Sequence, residues 1–184
     1  MNTKNNQRFK GTEQTIRNAF LELLGEQSLD RVTVGDICKK ANVNRSTFYA
    51  HHDSAASLLE KMDADMSRQL TELFKAAENE EGPYHDRYLM PYLLFLQEHK
   101  AFYRAYFRNS ETYNFKHDLL SFARMAILHR LKNISEDPER VELTLTYYTA
   151  GIYALIREWV IRDSALSPAE LADVLRHAVA DANL

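Results

Sequence analysis

The stretch TVGDICKKANVNRSTFYAHHDSAASLL, residues 33–59, decides how this chain is read. Thr33 is a good helix N-cap, and Asp36 three residues on can return the hydrogen bond as the other half of a capping box. Val34, Ile37 and Ala41 then give a short helix one apolar side. Asn42, Val43 and Asn44 interrupt it, and Asn44 can cap a second short helix running to about His51. That second helix opens on Asn44, Arg45, Ser46 and Thr47, so its first turn is polar with one cation, and Phe48 is its inward residue. A helix meant for a core is not composed this way.

On either side the pattern becomes ordinary. Upstream, TEQTIRNAFLELLGEQ places Ile16, Ala19, Phe20, Leu23 and Leu24 on one helical face, with Gly25 suited to the helix end. Downstream, Asp53 or Ser54 can cap a long helix over about 54–78, carried inward by Leu59, Met62, Met66, Leu70, Leu73 and Phe74. A brace helix, a short helix, a tight turn and a second short helix make a helix-turn-helix, whose second helix can enter a DNA major groove. Phe48 is expected to point inward with Ile37, Ala41, Val43 and Phe20, fixing the angle between the two short helices.

The exposed residues of that pair have the chemistry a duplex asks for. Arg45 can fork onto guanine and Asn44 onto adenine, with Ser46 beside them. Thr47 and the Tyr49 hydroxyl suit phosphate oxygens. With Thr33, Lys39 and His51 these residues form the candidate DNA-binding set. Net charge is −3, yet the residues up to His52 hold eight Lys/Arg against five Asp/Glu, while the remainder is acidic. A basic head on an acidic body fits a protein that offers one end to a polyanion, although chance asymmetry on a solvated surface gives the same count.

These residues carry a resemblance. Thr33, Asp36, Ile37, Ala41, Val43, Thr47, Phe48, Tyr49, His51, Ser54 and Leu58 match, in register, the pattern T-x-x-D-I-x-x-x-A-x-V-x-x-x-T-F-Y-x-H-F-x-S-K-x-x-L. The segment therefore resembles the N-terminal domain of the TetR family of bacterial transcriptional regulators. Two positions depart from it: His52 stands where the family has Phe, and Ala55 where a phosphate-touching Lys is common. The departure at Ala55 leaves phosphate affinity to Lys39, Lys40 or the basic start of the chain. Farther on, GIYALIREWVIRDSALSPAELADVL, residues 151–175, is similar to a short C-terminal type found in some regulators of that family. The resemblance implies a homodimer on a pseudo-palindromic operator. It further implies a repressor released by a small-molecule effector, an activator being the variant.

Beyond residue 78 the composition shifts: 15 of 20 aromatic residues lie from Tyr84 onward. Helices are expected over about 84–98, 100–108 and 112–131. Asp137 with Pro138 opens a helix to about Arg162, and Ser167, Pro168 and Glu170 open a last one. No segment alternates like a strand, so the expectation is an all-α fold of about nine helices. Its layout is a disordered basic arm over 1–10, a helix-turn-helix domain over 11–52, and a sensing and dimerising domain over 53–184 joined by the helix 54–78.

Two surfaces of that second domain are open to more than one reading. Tyr88, Tyr92, Phe95, Tyr103, Tyr106, Phe122, Met125, His129 and Tyr147 could line an effector pocket, or simply fill a bundle core at the usual spacing. The helix 138–162 bears two apolar stripes. One contains Tyr148, Ile152, Leu155 and Trp159; the other runs through Leu143, Tyr147, Ala150, Ala154 and Ile161 and is small in its middle. With Leu171, Val174, Leu175 and Ala178 of the last helix, the first stripe is expected to pair with its copy across a two-fold axis, the alternative being a central helix of a monomer.

Other classes find little support. One cysteine, Cys38, excludes an internal disulfide framework and a cysteine-based zinc site. His51 and His52 are adjacent and so do not share a helix face, which leaves no metal-ligand spacing and no expected cofactor. No nucleophile elbow, phosphate-binding glycine loop or paired-carboxylate motif points to an enzyme. No apolar run approaches a membrane span and the start MNTKNNQRFKG is not a signal peptide, so the expected location is cytoplasmic. A DNA-binding dimer governed by a protein partner and a helical enzyme are the alternatives.

Overall fold

The computed structural model describes residues 3–78, 81–110, 124, 127–128 and 137–180. Their regular elements are helical: α1 Thr3–Glu26, α2 Val34–Ala41, α3 Arg45–Tyr49, α4 Ala55–Ala77, α5 Tyr84–Glu98, α6 Lys100–Asn109, α7 Pro138–Ile161 and α8 Pro168–Ala180. A 3-10 turn over Leu29–Arg31 joins α1 to α2. The all-α expectation holds, with eight α-helices among the described residues. Of the helix expected over 112–131, only Arg124, Ile127 and Leu128 are described, and they are helical.

Local chemistry sets the boundaries. Thr33 Oγ1 accepts from the Asp36 N–H at 3.2 Å, and Asp36 Oδ2 accepts from the Thr33 N–H at 3.1 Å, closing the capping box. Asn42 ends α2 in the left-handed region at φ 52°, which asparagine tolerates better than most side chains. Ser54 and Ser57 exchange side-chain and backbone hydrogen bonds at 3.0 Å to start α4. Asp137 Oδ1 accepts from the Glu139 and Arg140 N–H groups, with Pro138 at the first helical position of α7. Glu170 Oε2 accepts from the Ser167 N–H at 2.8 Å, opening α8 the same way.

The chain divides into two compact units, Met1–Met66 with Ala101–Lys116, and Ser67–Lys100 with His117–Leu184. In the first, α1 packs on α2 and α2 on α3. Ile16, Phe20, Leu24, Ile37 and Phe48 are buried there, with Leu58 and Leu59 of α4 and Phe102 and Tyr103 of α6. In the second, α5 packs on α8. Tyr92, Leu93, Leu96, Ile156, Val160, Leu171 and Leu175 are buried in it.

The disordered arm expected over residues 1–10 is corrected, because α1 already begins at Thr3. Once its apolar face is anchored, extending a helix toward its N-terminus needs no new nucleus. The Phe9 ring gives that extension a partner, stacking on His51 with centroids 3.8 Å apart.

Candidate nucleic-acid interface

The tip of α3 is where the polar residues of the opening stretch come together. Phe48 is fully buried beneath it, whereas Tyr49 is 53% exposed with its ring set edge-on to Phe48. Arg45 and Ser46 are exposed and Thr47 is partly so. Among the described residues Arg45 makes no hydrogen bond or ion pair, although its guanidinium leans toward the first turn of α2, close to Gly35. It is a cation in reserve.

Its neighbours are less free than sequence reasoning supposed. Asn44 Oδ1 accepts from the Thr47 N–H and from the Ser46 hydroxyl, both at 2.7 Å. A carboxamide used this way caps the helix, and cannot also present its oxygen and amide together to adenine. The cap expected of Asn44 is formed, and while it holds, the oxygen is not open to adenine. Thr33 is similarly engaged: its hydroxyl donates to Asp36 Oδ2 at 2.6 Å while accepting from the Asp36 N–H. These hydrogen bonds from Thr33, side chain first, hold the Asp36 carboxyl below its ordinary range.

The lysines separate cleanly. Lys40 reaches back across α2 to Glu22 at 3.1 Å and Glu26 at 3.0 Å, so two carboxylates on α1 neutralise it. Lys39, next in chain and exposed, has no such partner among the described residues. Lys39 and Arg45 are therefore the cations of the α2–α3 pair that make no close ion pair among the described residues, although Lys39 acts at longer range on Asp36.

His51 departs furthest from expectation. Its side chain is only 3% exposed, with Nδ1 at 2.9 Å from Glu13 Oε2. His52 Nε2 meets the same oxygen at 2.9 Å. Both rings donate N–H to one carboxylate oxygen, so the phosphate contact expected of His51 is corrected to a brace between α3 and α1. Glu13 Oε1 also accepts from Arg17 Nε at 2.9 Å and lies 3.4 Å from Lys61 Nζ. Arg17 Nη2 in turn reaches Asp65 Oδ2 on α4 at 2.7 Å. Burial works against the Glu13 charge, but the Arg17 hydrogen bond and the charges of His52, Lys61 and Arg17 outweigh it and hold the carboxyl at about 2. Burial pushes the His52 imidazole below its ordinary value, more than Glu13 raises it. Sequence reasoning missed Glu13 because nothing local marks it; its partners lie 38 and 39 residues away.

The second unit offers an apolar surface instead. Leu143 is 65% exposed and Tyr147 73% exposed on α7, with Leu155 on the same helix and Val174 on α8 also exposed. Ala150, Gly151, Leu155 and Ala178 line an open groove here with Tyr147 and Ile152. Residues of two expected sets meet here. Tyr147 is exposed and is one wall of this open groove. Of the stripe expected to meet a second copy, Trp159, Leu171 and Leu175 are buried and Tyr148 and Ile152 are half-buried against Ile127 and Leu145, while Tyr148, Ile152, Leu155, Leu175 and Ala178 line the groove. Trp159 is fixed by its indole N–H, which donates to the Leu166 carbonyl at 2.8 Å, with Lys100 over its ring. Leu155, Val174 and Ala178 remain on the surface as expected.

Of the other expected pocket residues, Tyr88, Tyr92 and Phe95 are buried in the second unit, where Phe74 packs against both tyrosines. Tyr103 and Tyr106 belong to the first unit, and burial pushes the Tyr103 phenol well above its ordinary range. Phe122, Met125 and His129 lie outside the described residues.

A brace helix, two short helices and a polar, cationic tip define a helix-turn-helix DNA-binding protein. Residues 16–62 match the description "Bacterial regulatory proteins, tetR family", and residues 86–181 match "Transcriptional regulator C-terminal region". The chain belongs to the TetR family of DNA-binding transcriptional regulators, which are not enzymes. The uncharacterized HTH-type transcriptional regulator YxbF of Bacillus subtilis (strain 168) is 24% identical over 163 residues. The match takes in 86% of this chain and 42% of that relative, so the chain spans about two fifths of YxbF. Among solved structures, the dihydroxyacetone kinase operon activator DhaS is 23% identical, with a TM-score of 0.51 over 91% of this chain and 95% of that one. A transcriptional regulator from Aquifex aeolicus VF5 is 19% identical, with a TM-score of 0.63 over 91% of this chain and 97% of that one. At these identities the structures speak for the fold alone. Among the described residues no helix is long and apolar enough to cross a membrane.

Proposed function

We propose that the chain is a homodimeric repressor that holds a pseudo-palindromic operator through α3 and is released by a small-molecule effector. The observation that carries the DNA reading is Arg45, an exposed guanidinium at the start of α3 with no ion pair among the described residues. Arg45 reads a base; Lys39, Thr47 and Tyr49 hold phosphates; Asn44 and Thr33 keep the two helices in shape. Two copies pair through the exposed apolar residues of α7 and α8, presenting two α3 tips to successive major grooves roughly 34–36 Å apart. The effector is taken up by the aromatic-rich second unit, where Tyr88, Tyr92 and Phe95 are the candidates. A ligand that favours one conformation shifts the pair out of register with the operator, which needs a coupling of about 1–3 kcal/mol. The protein works in the cytoplasm, where its DNA is.

A titration of purified protein against DNA flanking its own gene and the adjacent genes, with random duplex as competitor, tests this. Retention of one flanking fragment against excess competitor is expected; equal loss of all fragments refutes it. Arg45→Ala is expected to weaken that complex by about 1–3 kcal/mol and to relax preference at one base position per half-site. Unchanged preference at every position would remove Arg45 from the reading role.

One observation favours a second reading of the sign: the likeness to DhaS, an operon activator. Deleting the gene decides it. Output of the regulated promoter rises if the protein represses and falls if it activates.

A further inference from the structure

Gly35 occupies the first turn of α2 with ordinary helical backbone, so no positive φ requires a glycine there. Glycine weakens a helix relative to alanine, which makes its presence in an eight-residue helix unfavourable on local grounds alone. The reason lies on the neighbouring helix. A Cβ built on Gly35 would stand 3.2 Å from Arg45 Nη2 and 3.5 Å from Thr33 Oγ1, and the first is closer than a side chain comfortably allows. The guanidinium of Arg45 therefore lies against Gly35, closer by a few tenths of an ångström than a methyl group there would leave it.

Among the described residues no hydrogen bond or ion pair holds it there. The nearest carboxylate on this turn, Asp36, uses its Oδ2 on the Thr33 N–H and hydroxyl. Arg45 also lies near enough to Cys38 to oppose the upward push that burial gives the thiol, a second sign that it folds back over α2. The guanidinium is guided by shape and left free to bond elsewhere.

We propose that Gly35 is a specificity-determining position, whose missing side chain sets the path along which Arg45 reaches a base pair. This rests on the reading of α3 as the DNA-contacting helix. A guanidinium forking onto guanine O6 and N7 must arrive in plane with both acceptors. Recognition geometry tolerates errors of only about 0.5 Å. A methyl group at position 35 narrows the slot and moves the fork by a few tenths of an ångström, while Lys39, Thr47 and Tyr49 keep their places on the backbone.

The test is a double-mutant cycle on the full chain. An operator is first selected from random DNA by the wild-type protein. Affinities for that operator and for each single-base variant are then measured by fluorescence anisotropy for wild type, Gly35→Ala, Arg45→Ala and the double variant. Gly35→Ala is expected to change preference about tenfold, and only at the base pair that Arg45→Ala relaxes. In the Arg45→Ala background it should have no further effect. A melting temperature of Gly35→Ala at or above wild type shows that the fold is intact. The proposal is overturned if Gly35→Ala leaves preference unchanged, weakens all sequences equally, or acts undiminished without Arg45. A wild-type protein that enriches no sequence refutes the DNA reading and the slot with it, which is a different result from an operator that Gly35→Ala leaves untouched.

Discussion

Tyr147→Asp is expected to leave each chain folded and to turn the proposed dimer into a monomer, with operator affinity falling roughly 10²–10⁴-fold. The argument begins with exposure. Tyr147 is 73% exposed on α7, so its replacement removes little packing from its own chain. Leu143, Ala150 and Ala154 share its face, with Leu155 exposed at its edge, and a helix apolar on an outward side calls for a cover. Two copies meeting on this stripe would bring two new carboxylates together in a desolvated contact, which is strongly unfavourable. A monomer then holds one half-site without the effective-concentration gain of the second, and that gain is typically 10²–10⁴-fold. Sedimentation velocity and operator titration read the two effects separately. An unchanged dimer mass for Tyr147→Asp would count against this interface. Trp159→Ala behaves in the opposite way: it removes a buried ring and its hydrogen bond to Leu166, costing about 3–5 kcal/mol of stability rather than a subunit contact.

Glu13→Ala is the second large effect. Glu13 accepts from His51, His52 and Arg17 and lies near Lys61, and its side chain is only 16% exposed. Removing it leaves two buried imidazoles without their acceptor and takes one carboxylate from Arg17, at a cost of about 3 kcal/mol. That is a large part of the ~5–15 kcal/mol by which a domain is usually stable. The same network sets an acid dependence. The Glu13 carboxyl sits at about 2 in the folded chain against its ordinary 4.5, so its contribution is full above 4.5 and is lost as pH falls toward 2. His52 is also depressed, from 6.5, so burial of the neutral ring favours folding above 6.5 and opposes it increasingly below. Both groups act in one direction. Denaturant midpoints measured from pH 7 down to pH 3 should fall throughout, and Glu13→Gln should flatten the lower part of that curve. A wild-type midpoint that holds steady or rises toward pH 3 would contradict the brace.

What the sequence disclosed, and what it kept back, follows from the range of the interactions. Caps act within three residues, so Thr33 with Asp36, Asn44, Asp137 and Ser167 could be recognised directly, and with them the starts of α2, α3, α7 and α8. Phe48 was legible as an anchor because its neighbours are polar. The partner of His51 and His52 was not, since Glu13 reaches them only once α1 has folded against α3. The two stripes of α7 look alike as sequence. Which one turns inward is decided by Ile127, by Leu145 and by the Leu166 carbonyl that takes the Trp159 N–H. Nothing local marks Gly35, because Arg45 lies over it only once α2 and α3 have packed.

The central claim is that two α3 tips enter DNA as a symmetric pair, and selection from random-sequence duplexes with the purified full chain tests it most directly. The account predicts enrichment of two inverted half-sites spaced by about one helical turn, 10–10.5 base pairs centre to centre, or a multiple of it. Sequencing that returns no enriched motif, or a single half-site with no inverted partner, would contradict it.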